Sequence, residues 1–153
     1  MIFFGEKINE KDLKRLRKGD VLLWENFPLK TKDKDSRFVV LAGCDASERL
    51  LVIRATSSLK ALSFYKKGDL EIVWIEENKE KLLPKVTILD FNRAIAFLDI
   101  QKMIPIYGKT LKRIGKLSEG LIDSIDEVVK KSKIVGRRLK KRILESERSE
   151  FDE

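Results

Sequence analysis

Apolar residues gather along most of this chain in short runs with a strand-like habit, and only near the end in a helical repeat. The runs at 20–24, 37–42, 50–56, 70–76, 86–91, 95–100 and 103–106 are rich in Val, Ile, Leu and aromatic residues. Clusters of Gly, Asp, Asn, Pro and Lys bound them, which predicts seven short strands. Before them, Leu13 and Leu16 share one face of a short helix expected over 9–18, with Asn9 as its cap and Gly19 as its end. From Ser118 the period changes: Leu121, Ile125, Val128 and Val129 recur at three and four, with Ser118 placed to cap. Gly136 is expected to end or bend that helix. The continuation keeps Leu139 and Ile143 on one face, then turns acidic and is expected to fray. The fold class is therefore mainly β (α+β), a small antiparallel barrel or sandwich with an N-terminal short helix and a C-terminal helical extension. Connections between the strands are too short for crossover helices, so no parallel βαβ unit is expected.

Strand parity predicts how the second and third runs pair. Setting Arg37 opposite Thr56, Val39 opposite Arg54 and Leu41 opposite Val52 gathers Phe38, Val40 and Ala42 against Ala55, Ile53 and Leu51 on a wholly apolar face. That register would leave Arg37, Arg54 and Thr56 together in one patch facing solvent.

At 153 residues the chain can bury a core as one domain without disulfides or metal. It has one cysteine, Cys44, and no histidine. An internal disulfide, a His-based zinc site and Ser-His-Asp hydrolysis are thereby excluded, and any catalysis has to run on Arg, Lys, Asp, Glu, Tyr and hydroxyl groups. No cofactor or metal is expected. No apolar run approaches the roughly 18 residues of a membrane span, and the apolar patch at the start is too short for a secretory signal, so a cytoplasmic location is expected. Charged residues make up 38% of the chain, Lys and Glu dominate them, and Gln101 is the only glutamine, a bias that suggests a thermophile source. The net charge of +8 favours a polyanionic partner.

RNA can be cut without metal when its own 2′-hydroxyl attacks the adjacent phosphorus. The bond to the 5′-oxygen breaks, that oxygen takes up a proton, and a cyclic phosphate remains. A guanidinium suits the charge that builds on the phosphoryl oxygens, because it stays protonated and offers forked donors. Arg37, opening the second strand, is the candidate for that role. Thr56, ending the third, is a hydroxyl donor to the same oxygens, with Ser57 as a helper. The general base is left open among Asp33 and Asp35, in the polar loop before Arg37, and Glu25. Arg54 is a second cation. Phe64 and Tyr65, in a polar connection, are candidates to stack bases, whereas Trp24 and Trp74 are assigned to packing.

Gly19 and Asp20 before the first strand, a loop leading to Arg37, a strand ending in Thr56 and Ser57, and the motif IGKLS at 114–118 follow one another in an order that resembles the PemK/MazF-like toxins of toxin–antitoxin systems. The resemblance spans 19–129. It implies an SH3-like barrel over 1–129 with a closing helix, usually homodimeric. The activity implied is that of a metal-independent endoribonuclease on single-stranded RNA, restrained by an antitoxin, with Arg37 and Thr56 at the matching catalytic positions. Family members generally carry proline after the arginine; here Phe38 follows. The alternative function is a non-catalytic barrel that binds RNA or a protein.

Beyond the region of resemblance, 130–153 forms a basic and then acidic helical tail. Lys130, Lys131, Lys133, Arg137, Arg138, Lys140, Lys141 and Arg142 fall there with no acid among them, and match the whole net charge. Two readings stay open. Arg137, Arg138, Lys140 and Lys141 grip RNA phosphates, or the segment is a solvated helix end whose cations pair with the acids from Glu145 onward.

Overall fold

A three-residue-wide hairpin turn organises the sheet: Asp45 Oδ1 accepts the backbone N–H groups of Ser47 and Arg49 at 2.9 and 3.0 Å, and Glu48 adopts φ 58°. The computed structural model describes residues 10–27, 34–57, 62–66, 68–83, 85–102 and 111–150. Its strands are β1 (Asp20–Phe27), β2 (Lys34–Ala42), β3 (Arg49–Thr56), β4 (Ile72–Ile75), β5 (Thr87–Asp90), β6 (Ile95–Asp99) and β7 (Leu111–Lys116). They form one seven-stranded sheet in the order β4-β5-β3-β2-β1-β7, with β6 also on β3. Every pairing between these strands is antiparallel. β5 and β6 lie in line along one edge of β3, the first against Ala55 and Thr56 and the second against 49–53.

Six strands fall where the apolar runs put them. The run at 103–106 lies outside the described residues, and the seventh strand is Leu111–Lys116, so Ile114 to Ser118 spans the end of β7 and the cap of the following helix. The first helix, α1, is one turn, Glu10–Leu13, and shorter than expected; two further turns follow, in which Arg15 and Leu16 donate to the carbonyls of Asp12 and Leu13. Leu13 and Leu16 are buried together, as their spacing requires. Gly19 then turns the chain at φ 99°, where a Cβ would stand 2.5 Å from Ile122 Cδ1.

Both faces of the sheet are covered. On one side Val21, Val39, Leu51, Ile53, Leu89 and Phe91 pack under the helices α2 (Glu119–Lys131) and α3 (Arg137–Glu145), which contribute Ile122, Ile125, Val129 and Ile143. On the other, Leu22, Trp24, Phe38, Val40, Leu50 and Val52 pack against Leu13, Leu16, Leu98 and Leu111. Trp24 is fully buried and tilted against Phe38, with ring centroids 6.1 Å apart. Burial on two faces removes the alternation on which the predicted register depended, since shifting such a strand by one residue exchanges apolar for apolar. The observed pairs are Arg37↔Ala55, Phe38↔Arg54, Val39↔Ile53 and Val40↔Val52, with an irregularity before Ala42↔Leu51. The pairs from Arg37 to Val40 are one residue away from the predicted pairing, whereas Ala42↔Leu51, past the irregularity, is as predicted.

α2 begins as expected, with the Leu121 N–H on Ser118 Oγ. It ends at Ser132 and not at Gly136. Ser132 Oγ accepts the N–H groups of Ile134 and Val135, and its hydroxyl donates to Glu71, whose other oxygen accepts the Lys133 N–H at 2.9 Å. Gly136 is the N-cap of α3, at φ −64°.

The segment after α3, expected to fray, is pinned as far as Ser149. Lys18 N–H donates to Glu147 O and Ser149 N–H to Lys18 O, a parallel bridge beside β1. Ser149 Oγ donates to Asp20 Oδ1 at 2.6 Å. Asp20 is 0% exposed and paired at 3.0 Å with Arg113, itself 1% exposed. Buried Lys18 extends its Nζ to Asp126 at 2.9 Å and to Ile143 O. Asp126 also takes Arg148, whose guanidinium reaches Glu119 and Asp123 and is held protonated by those hydrogen bonds. No helix among the described residues is long and apolar enough to cross a membrane.

Candidate nucleic-acid interface

Arg37 and Thr56 stand on opposite faces of the sheet. Directly opposed residues of an antiparallel pair share a face and successive residues alternate. Arg37 opposes Ala55 on β3 and Leu23 on β1, so Thr56, the next residue along β3, points the other way. The patch that was to hold one phosphate between them is not formed. The physical reason is the one-residue difference in register, which the doubly buried apolar run of β3 permits.

Each predicted residue therefore has a new setting. Arg37 is half-buried, its Nε is out of reach of solvent, and it makes no hydrogen bond or ion pair with any described residue. Arg54, predicted to flank Arg37, opposes Phe38 and shares its face with Thr56. Ser57 is exposed just past β3, Asp35 is exposed on β2, and Asp33 lies outside the described residues. Glu25 is tied to the Lys112 ammonium.

The two candidate stacking residues part company. Phe64 is 75% exposed. Tyr65 is held in place by its hydroxyl, which donates to the buried Asp90 carboxylate; that hydrogen bond pushes the phenol pKa up, because ionisation would set a second anion beside Asp90. Tyr65 fastens the connection between β3 and β4, and Phe64 is left outside. Cys44 is half-buried, and its thiol is pushed up by burial and by Asp45, against thiolate chemistry.

The basic tail divides into two groups. Arg142 belongs to the fold: its Nη2 donates to Gly43 O at 2.9 Å and Arg49 O at 2.8 Å, and its guanidinium lies 5.7 Å from the Phe97 ring centre and 3.4 Å from Asp45. Burial alone would raise the Asp45 carboxyl. The Arg49 N–H, the Arg142 guanidinium, the Ser47 N–H and the Arg49 guanidinium outweigh it and hold the group below its usual value. Lys130 and Lys131 lie within 4 Å of Glu127, at 3.8 and 3.6 Å.

Lys133, Arg137, Arg138, Lys140 and Lys141 form no ion pair with any described residue, and Lys140 Nζ reaches only the Lys130 carbonyl, at 3.3 Å. They do not pair with Glu145 or Glu147; Glu147 faces Arg17. The helix dipole offers Arg137 and Arg138 no compensation either. Arg137 and Arg138 open α3, whose first turn holds no acid, so they sit at the positive end. A cluster of cations without acid partners among the described residues, two of them at the positive end of a helix, is poor for the fold and well suited to an external anion.

Sequence reasoning missed Asp20, Arg113 and Lys18 as a buried charge system. A carboxylate opening a run as apolar as DVLLW was the available signal. The chain matches no protein-family model and no curated protein.

Proposed function

We propose that this chain is a PemK/MazF-like protein that binds single-stranded RNA without cutting it, its sheet an SH3-like barrel and its grip on phosphates supplied by α3. The observation that carries this reading is the set of five solvent-facing cations, Lys133, Arg137, Arg138, Lys140 and Lys141, that no described acid neutralises. Exposed Phe64 adds a surface on which a base can stack. Binding is measured by fluorescence anisotropy of a labelled, unstructured RNA at low salt. Replacing Arg137, Arg138, Lys140 and Lys141 together by Gln weakens it whatever the RNA sequence, as loss of phosphate contacts does. Unchanged affinity would overturn the proposal.

One observation favours a second reading, a metal-independent endoribonuclease toxin restrained by an antitoxin: Arg37 is a half-buried guanidinium without an acid partner among the described residues. It separates from the first in one assay. RNA incubated with the protein and a chelator yields fragments ending in cyclic phosphate, and yields none with Arg37→Ala, if Arg37 stabilises a transition state. Intact RNA leaves the binding reading alone.

A further inference from the structure

Four large apolar side chains stand exposed among the described residues: Phe64, Leu70, Phe97 and Ile134. Phe97 has a cover, since the guanidinium groups of Arg49 and Arg142 lie 4.7 and 5.7 Å from its ring centre. The other three belong to one corner of the molecule, where the connection between β3 and β4 meets the turn between α2 and α3. Glu71 joins the two: its carboxylate accepts the Ser132 hydroxyl and the Lys133 N–H, and its carbonyl accepts the Phe91 N–H. Leu70, the residue before Glu71, is 58% exposed, and Ile134, the residue after Lys133, is 54% exposed, whereas Val135 beside it turns into the core. Phe64 precedes Tyr65, whose hydroxyl is fixed on Asp90, the partner of Ile72 in the pairing of β4 with β5. The backbone that carries the three side chains is thus anchored on the sheet and on α2 while the side chains themselves stay outside.

The border of this corner is cationic. Lys133 adjoins Ile134, and Arg137 and Arg138 follow at the start of α3, none of them with an acid partner among the described residues. The corner's own acids are engaged locally: Asp69 accepts the Glu71 N–H at 2.9 Å, and Glu71 holds the α2–α3 turn. Exposed apolar side chains rimmed by charge mark an interaction surface, and here the rim selects an anion that also has apolar faces to offer.

We propose that unpaired bases of a single-stranded RNA pack on this corner, so that the strand gripped by α3 crosses the α2–α3 turn and sets its bases against Ile134, Leu70 and Phe64. A single strand meets both demands at once, because it carries a charge and an unpaired base at each nucleotide. Phe64 supplies a ring on which a base stacks, and Ile134 and Leu70 supply aliphatic surface that a base face removes from water. Cations alone bind any polyanion; the apolar corner makes the chain distinguish bases from bare phosphate. The inference rests on the RNA-binding reading for the identity of the strand, and adds to it the path of that strand and the contact that selects it.

Fluorescence anisotropy of a short labelled RNA without secondary structure is compared with that of a strand of equal length built from abasic units, which keeps the phosphates and has no bases. The unmodified chain is expected to bind the RNA more tightly. Phe64→Ser weakens RNA binding about fivefold or more, the effect of one lost aromatic stack, and Leu70→Ser with Ile134→Ser weakens it severalfold, while neither changes the affinity for the abasic strand. Thermal melts followed by circular dichroism check each fold, and if the double variant does not fold, Phe64→Ser carries the test.

Equal RNA affinity in the folded variants overturns the inference, as does an equal loss with the abasic strand, or RNA that binds no more tightly than the abasic strand. Binding to anionic phospholipid vesicles that the Leu70 and Ile134 variant loses while keeping its RNA affinity assigns the corner to a membrane surface, and overturns it too. The fourfold α3 variant keeps the two readings apart. If it retains RNA affinity that the apolar variants lose, the α3 grip fails and the corner stands; if it alone loses affinity, the grip stands and the corner fails.

Discussion

Asp20→Ala is expected to destabilise the protein by about 3–5 kcal/mol, the usual cost of removing one partner from a buried ion pair. The carboxylate is fully buried and holds three separate parts of the chain. It accepts the Arg17 N–H at 2.8 Å, the Arg113 guanidinium at 3.0 Å and the Ser149 hydroxyl at 2.6 Å. Truncation takes the Asp20 carboxylate from the buried Arg113 cation and removes the hydrogen bond that Ser149 Oγ makes to it. Chemical denaturation reads the effect as a lower midpoint with an unchanged slope, the sign that stability and not compactness has changed. The double variant Asp20→Leu with Arg113→Met is the informative companion. Apolar replacement of both partners of a buried pair is often neutral or stabilising, so it should recover much of the loss. If the single variant unfolds at the same denaturant concentration as the unmodified chain, the buried charge system is not what fastens the C-terminal segment.

That charge system also shows what a sequence conceals. Six strands and the start of α2 were legible, because each rests on local information: a short apolar run between polar turns, or a serine before a helical repeat. The antiparallel pairing of β2 with β3 was legible too, but its register from Arg37 to Val40 was not. Its prediction assumed one wet face, whereas Leu50, Leu51, Val52 and Ile53 are all buried, and a strand apolar on both faces carries no parity signal. The candidate site inherited that error: each residue of the Arg37 and Thr56 pair was placed on a strand that exists, and only the relation between the strands was wrong. The fate of the tail was hidden for a different reason. In sequence Arg142 and Arg148 are two more charged residues of a polar tail, and only the folded chain brings the first to the turn at Gly43 and the second to α2.

The same separation of structural from free cations makes the salt dependence of RNA binding the sharpest prediction for α3. Each single-strand phosphate contact contributes about 0.7 to the slope of log affinity against log salt. If Arg137, Arg138, Lys140 and Lys141 make one contact each, their joint replacement by Gln flattens the slope by about 2.8, which means that about 50-fold of the affinity lost between about 50 and about 200 mM salt in the unmodified chain is no longer lost in the variant. Stability should scarcely change, because these side chains bury little and form no ion pair with a described residue. It is expected to rise slightly, since the variant removes Arg137 and Arg138 from the positive end of the α3 dipole. Arg142→Gln is expected to behave in the opposite way. It loses the carbonyls of Gly43 and Arg49 and the Asp45 carboxylate, and so lowers the unfolding midpoint while leaving the salt slope nearly intact. Anisotropy titrations at four salt concentrations and a denaturant melt of each variant measure both quantities. A slope that is equal in the fourfold variant and the unmodified chain would mean that the cations of α3 meet no phosphate, and would return the helix to the role of a solvated surface.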